Sequence, residues 1–160
     1  MTVLSVFKTI KVGTGPKDTD GFRSALKDAG CKISNWSNDI LGKPAFTAAT
    51  EETEVELVVV SAAELGFKDG ATRADIYQKA QQLGLSLCPP EVGAQLRLQY
   101  KDQPKGEWLR IAMEPITDSG GNLRVFSVGH NDVGLWLYAN YANPNLHWHG
   151  GLLWVFRRRK

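Results

Sequence analysis

The chain has 160 residues, of which 42% are hydrophobic and 22% charged, with a formal net charge of +2. That length suits one domain with a substantial core, and the near-neutral charge removes any global attraction to nucleic acid or to an acidic membrane surface. The two cysteines, Cys31 and Cys88, lack metal-type spacing and read as buried thiols rather than a disulfide framework. The chain shows neither an apolar run of roughly 18 residues nor a signal-peptide pattern, so a cytoplasmic product is expected.

Along the chain, Thr2–Val12 alternates apolar and polar residues and predicts a strand, ended by Gly13-Thr14-Gly15-Pro16. That glycine-rich loop lacks the spacing and the Lys-Ser/Thr pair of a phosphate loop. Asp18 or Asp20 then caps a helix to about Ala29, with Phe22, Ala25, Leu26 and Ala29 on one face and Gly30 as the stop. Cys31–Pro44 reads as a loop anchored by Ile33, Trp36, Ile40 and Leu41. Val55–Val60 is a strong strand signal. Thr72, with Asp75 three residues on, caps a second helix that buries Ile76, Tyr77, Ala80 and Leu83. Glu91–Tyr100 fits either a short helix opened by Pro90 or a strand with Leu96, Leu98 and Tyr100 inward. Trp108–Ile116, Leu123–His130, Gly134–Ala139 and Leu152–Arg158 predict four strands, joined in part by the turns Asp118–Asn122 and His130–Val133. The order is strand, helix, strand, helix, then an antiparallel meander, which is α+β in a single domain over residues 1–160.

Three chemical readings can be weighed from residue type and spacing. His147 and His149, two apart on a strand, could join His130 in a zinc site, but no carboxylate or thiol at suggestive spacing completes it apart from Asp132. Cys88, Glu91 and Glu114 are the candidates for a small hydrolase, and that reading requires them to line a deep pocket. Ala80 and Gly84 stand as in a helix-turn-helix, which points to a winged-helix-like nucleic-acid-binding domain, but its second helix would offer only Arg97 as a basic base-reader. For each, the plainer structural role weighs more.

The C-terminal stretch has a different texture. From Pro115 to Arg159 there is no Lys, Glu, Gln or Met, although these types supply 26 of the first 114 residues. Chance absence over that stretch is on the order of 10⁻⁵. Strand and turn preferences account for part of the depletion but not for the loss of Gln and Met. A codon argument covers all four types. If only the adenines of AAC or AAT asparagine codons are randomised, the third base stays a pyrimidine, and Lys, Glu, Gln, Met and Trp become unreachable. Ser127, Gly129, His130, Asn131, Val133, Tyr138, Asn140, Tyr141, Asn143, Asn145, Leu146, His147, His149, Gly150, Gly151 and Leu152 all belong to the reachable set. Trp136, Trp148, Trp154 and Phe156 alternate with them as a fixed frame.

The run Gly134-Leu135-Trp136-Leu137, Asn143-Pro144, Trp148 and Trp154-Val155-Phe156-Arg157-Arg158-Arg159-Lys160 resembles the variable C-terminus of target proteins of diversity-generating retroelements. In these, Asn codons are the mutable sites. The resemblance implies a C-type lectin-like fold, with two helices flanking a mainly antiparallel sheet and the N- and C-terminal strands paired. It implies a scaffold over residues 1–124, a variable region with frame strands over 125–160, and no catalysis or cofactor. The sixteen residues named above would contact a variable macromolecular ligand, most plausibly a protein. The Tyr, Asn, Ser and Gly vocabulary matches that of adaptable binding loops. The Trp-Arg-Leu-Pro or Gly-Gly-Ser-Trp runs that many such proteins carry are missing.

Overall fold

The computed structural model describes residues 4–159; Thr2 and Val3 of the first predicted strand and Lys160 of the basic end lie outside them. In chain order the elements are β1 (Lys8–Val12), α1 (Thr19–Asp28), β2 (Lys32–Ile33), α2 (Asn35–Leu41), β3 (Thr53–Ser61), β4 (Ala71–Thr72), α3 (Arg73–Gln82) and β5 (Leu85–Ser86). They continue with α4 (Glu91–Gln99), β6 (Trp108–Ile111), β7 (Ile116–Thr117), β8 (Leu123–Asn131), β9 (Gly134–Tyr141), β10 (His147–Trp148) and β11 (Leu153–Arg158). The architecture is mixed α/β, with four helices and one large, mostly antiparallel sheet. Among the described residues no helix is long and apolar enough to cross a membrane.

α1, α2 and α3 each start where a side chain satisfies an orphan N–H group, whereas α4 opens at Pro90 without a side-chain cap. Asp18 Oδ1 accepts from Gly21 N at 2.8 Å to open α1, and Thr72 Oγ1 accepts from Asp75 N at 3.3 Å to open α3. The stretch Cys31–Pro44, expected as a loop, contains α2. There Ser34 Oγ accepts from Ser37 N at 3.3 Å, and Ile40 and Leu41 are buried. The ambiguous segment after Pro90 is helical. Two flanking helices were expected, and four are present because these two short segments fold as well.

The sheet runs β1-β3-β11-β6-β8-β9-β2, with β5 on β11 and β7 on β8; β10 pairs separately with β4. Among the described residues only β6 with β11 and β2 with β9 run parallel. The expected pairing of the terminal strands does not occur, because β3 lies between β1 and β11 and pairs antiparallel with each. The cause is in β3 itself. Its run Leu57-Val58-Val59-Val60 puts apolar groups on both faces, with Leu57, Val58 and Val60 fully enclosed. Such a strand must sit inside a sheet. The predicted strand Trp108–Ile116 is also broken. It ends at Ile111, and pairing resumes only at Ile116, after Pro115, which has no N–H to give a ladder.

Two cores flank the sheet. On one face, Phe22 and Leu26 of α1, Ile40 and Leu41 of α2 and Val92 and Leu96 of α4 close over Ile10, Leu57, Ile111, Phe126, Val128 and Val155. On the other, Ile76, Tyr77 and Ala80 of α3 meet Val58, Val60, Trp154 and Phe156. Tyr77 is locked there: its hydroxyl donates to Met113 O at 2.9 Å and accepts from Met113 N at 3.0 Å. α4 approaches β8 so closely that a Cβ on Gly93 would lie 2.8 Å from Phe126 Cβ, which explains a mid-helix glycine.

Candidate ligand-binding surface

β8 and β9 form a hairpin whose register fixes what each face carries. Arg110 of β6 pairs with Ser127, which pairs with Tyr138; Trp108 pairs with Gly129, which pairs with Trp136; Asn140 pairs with Val125. Paired residues share a face. Trp108, Arg110, Ser127, Gly129, Trp136, Tyr138 and Asn140 therefore lie on the sheet face opposite Phe126 and Val128. This half of the face is roofed by aromatic side chains. Trp108 lies across Gly129 and meets Tyr138 edge to face, with ring centroids 5.8 Å apart.

The sixteen expected contact residues divide by place. Val133, Tyr138, Tyr141, Asn145, His147, His149 and Gly151 are exposed. Asn140, Asn143, Leu146 and Leu152 are half-buried beside them. The remainder require correction. Ser127 and Gly129 are buried inside β8, and a Cβ on Gly129 would meet the Trp108 ring at 2.0 Å. Gly150 is buried too; its carbonyl accepts from Ala63 N at 2.8 Å, and a Cβ there would lie 2.4 Å from Lys68 O. Asn131 builds the hairpin turn, its Oδ1 accepting from Val133 N, Gly134 N and Trp136 Nε1. His130 is tied by Nδ1 to Gln103 O at 2.6 Å. Gly129 and Gly150 are fixed by packing, His130 and Asn131 are half-buried and held by these hydrogen bonds, and Ser127 is enclosed with its hydroxyl unpartnered. Of the frame, Trp148, Trp154 and Phe156 are buried, whereas Trp136 is half-buried.

Two cavities flank the outer part of β9. One, of about 400 Å³, is lined by Ile33, Ser34, Asn35, Trp36, Trp136, Tyr138 and Ala139. The other, of about 300 Å³, is lined by Asn140, Tyr141, Leu146, His147 and Trp148. Trp36 lines the first cavity, Trp108 and Arg110 lie against Tyr138 and Trp148, and Arg124 underlies Tyr141, yet no sequence motif marks these four. Arg124 lies 4.7 Å from the Trp36 ring centroid and 3.8 Å from that of Tyr141, and its Nε donates to Asp118 Oδ2 at 2.8 Å. Burial alone would raise the Asp118 pKa. Hydrogen bonds from Arg124 and from the Asn122 and Gly120 amides outweigh it and hold the carboxyl below the ordinary range. Tyr141 is thus seated on a fixed, ion-paired guanidinium.

The other chemical candidates fall elsewhere. Among the described residues no group of three or more His, Cys, Asp or Glu could hold a metal ion. Instead, His147 Nε2 lies 3.0 Å from Asp69 O. Cys88 and Glu114 do line a groove of about 680 Å³, with Val12, Val55, Pro89 and Arg157. Cys88 Sγ nevertheless donates to Val155 O at 3.5 Å, and burial pushes its thiol pKa up to about 12, the reverse of what a nucleophile needs. Glu91 is outside that groove and is bonded to main-chain amides. The expected base-reader Arg97 is enclosed. It donates to Gln103 Oε1 at 2.7 Å, to Gly129 O at 3.0 Å and to Tyr100 O, and α4 is buried from Glu91 to Arg97. A recognition helix has to be exposed, so the helix-turn-helix geometry is absent from α3 and α4.

Comparison with protein-family models, with curated proteins and with solved structures returned no match.

Proposed function

We propose that the protein is a non-enzymatic binding protein that displays side chains from β9, β10 and their flanking loops to a macromolecular ligand, a protein. On this reading those side chains are diversified through adenine-directed mutagenesis by a retroelement. One observation carries it. In the restricted-alphabet stretch, residues beyond the reach of Asn-codon randomisation supply the interior anchors Trp148 and Trp154, while reachable residues supply the exposed positions Tyr138, Tyr141, Asn145, His147 and His149. A structure that keeps its anchors outside the mutable set can change its surface without losing its core. The C-type lectin-like architecture rests on the C-terminal resemblance alone. The interposition of β3 between β1 and β11 departs from it, and the display reading does not need it.

Sequencing this gene and its flanking DNA across a natural population tests the proposal. Substitutions should concentrate at codons 138, 140, 141, 143, 145, 147 and 149, spare 136, 148 and 154, and match adenines in a nearby near-copy beside a reverse transcriptase gene. An invariant C-terminus without a template copy overturns it.

A further inference from the structure

Arg110 is half-buried, yet among the described residues it has neither a hydrogen-bond acceptor nor a carboxylate within ion-pair distance. Its Nε is fully enclosed and unpartnered. Its guanidinium carbon stands 5.7 Å from the Trp148 ring centroid. Its terminal nitrogens reach solvent, and the enclosed Nε is the donor left without an acceptor, a costly setting for a buried N–H. Arg97 Nε is likewise enclosed and unpartnered, but its terminal nitrogens donate to Gln103, Gly129 and Tyr100 oxygens, which Arg110 has no counterpart for. The neighbours of Arg110 lack partners as well. Ser127, its register partner, is 1% exposed with an unpartnered Oγ, and Asn140 Oδ1 and Trp148 Nε1 are enclosed without partners. Asn140 and Trp148 line the same cavity of about 300 Å³; Arg110 and Ser127 stand outside its lining, Arg110 against the Trp148 ring.

We propose that Arg110 is the fixed cation of a carboxylate-binding subsite in the display surface, with Trp148 as its apolar wall and Ser127 and Asn140 as its polar complement. The planar guanidinium fork matches a carboxylate with two parallel N–H···O bonds. The Ser127 hydroxyl, which rotates freely, adds a third donor, and the Asn140 amide, turned by a half rotation, presents Nδ2. The inference rests on the display reading and deepens it. Arg110 precedes the restricted-alphabet stretch, whereas Ser127, Tyr138 and Asn140 fall within it. Every member of a diversified set would then keep the same cation and vary what surrounds it, so all would favour ligands that present an acidic side chain or a chain-terminal carboxylate.

The test uses the full chain labelled with ¹⁵N, following the Arg Nε–H and Trp indole N–H signals. The probes are N-acetylglycine for a terminal carboxylate, N-acetylglutamic acid α-amide for an acidic side chain, N-acetylglutamine amide as the neutral control, and inorganic phosphate. At least one carboxylate should shift the Arg110 Nε–H and Trp148 indole signals saturably with a Kd of about 1–10 mM, and which one does so identifies the source. Arg110→Gln should weaken the Trp148 response at least about tenfold, and Arg110→Lys should recover part of it. Thermal melts of both variants show whether they fold, and the unsubstituted chain gives the primary reading regardless. Absence of a saturable shift, an equal shift from the neutral amide, or phosphate binding as tight as carboxylate overturns the subsite; the first result would mean that ordered water alone satisfies these groups. Invariant codons in the population would sink the display reading and leave this titration untouched, so the two failures are distinguishable.

Discussion

At the residue scale, the Asp118–Arg124 pair shows how the surface is held in place. Both side chains are enclosed, at 0% and 5% exposure, and both carboxylate oxygens of Asp118 are used: Oδ1 takes the Gly120 and Asn122 amides and Oδ2 takes Arg124 Nε. The folded-state pKa of Asp118 lies below its unfolded value of about 3.9. Its contribution to stability is therefore present above that value and is lost as pH falls through the folded one. Asp118→Asn should cost about 3 kcal/mol near neutrality, because it leaves the buried Arg124 without its counter-charge. It should also flatten the pH dependence of urea midpoints between about pH 2 and pH 5 relative to the unsubstituted protein. An unchanged acid limb would mean that other carboxylates govern it. Residue-scale detail is also where the sequence was least informative. Gly129 and Gly150 look like drawn letters in a codon argument, but they are glycine because a Trp108 ring and the Lys68 carbonyl occupy the space of a Cβ. That cause lies in chain segments far away in sequence.

At the element scale, α4 organises the half of the molecule away from the displayed surface. Glu91, in its first turn, accepts from Gly13 N and from Ala49 N, each at 2.8 Å, and so fastens two loops to one helix end. Gln99, at its last turn, donates to Lys11 O at 2.7 Å and accepts from Lys11 N at 2.9 Å, closing a free edge of β1 with a side chain. Glu91→Ala should cost about 2–3 kcal/mol, since it orphans amides in a buried setting. Hydrogen exchange should accelerate at Gly13 and Ala49 while the β8–β9 amides keep their protection; uniform acceleration would refute a local fastening. The helical state of this segment was not readable beforehand for a physical reason. A helix buried on all sides has no apolar stripe, so Leu96, Leu98 and Tyr100 fit a strand period as well as a helical one. By contrast α1 and α3, half-solvated and capped by Asp18 and Thr72, were legible to within a residue or two. The missed α2 had only Ser34 as a start signal and a single buried turn. The strands β8, β9 and β11 were also legible, because turn residues bound them. Their order in the sheet was not, since it depends on β3 taking an interior place that strand-by-strand patterning cannot assign.

At the scale of the whole molecule, the display reading makes a claim about where stability resides. The C-terminal third supplies both the anchors of one core and exposed side chains on β9, β10 and the loops between the strands. Trp154 is fully buried on Tyr77 and Trp148, with centroids 5.8 and 5.0 Å away, whereas Val133, Tyr138, Asn145, His147 and His149 are exposed. If the outer set is free to vary, five simultaneous changes there should cost less than one change in the anchor set. The combined variant Val133→Thr, Tyr138→Ser, Asn145→Ser, His147→Asn and His149→Asn should lose about 2.5 kcal/mol or less in urea unfolding, because exposed positions each contribute within about 0.5 kcal/mol and the contacts of Tyr138 with Trp108 and of His149 with Gly151 N lie at the surface. Trp154→Ala alone should lose about 3–5 kcal/mol through the cavity it opens. Every replacement in the five-fold variant belongs to the set that Asn codons can reach, so it stands for another member of the repertoire rather than an arbitrary lesion. Tyr141 is left in place because its ring stacks on Arg124, and His147 is included despite its contact with Asp69 because that contact lies at the surface. If the five-fold variant proved as destabilised as Trp154→Ala, the meander would be an interdependent structural unit. Its restricted alphabet would then reflect strand and turn packing, and the surface would have no freedom to diversify.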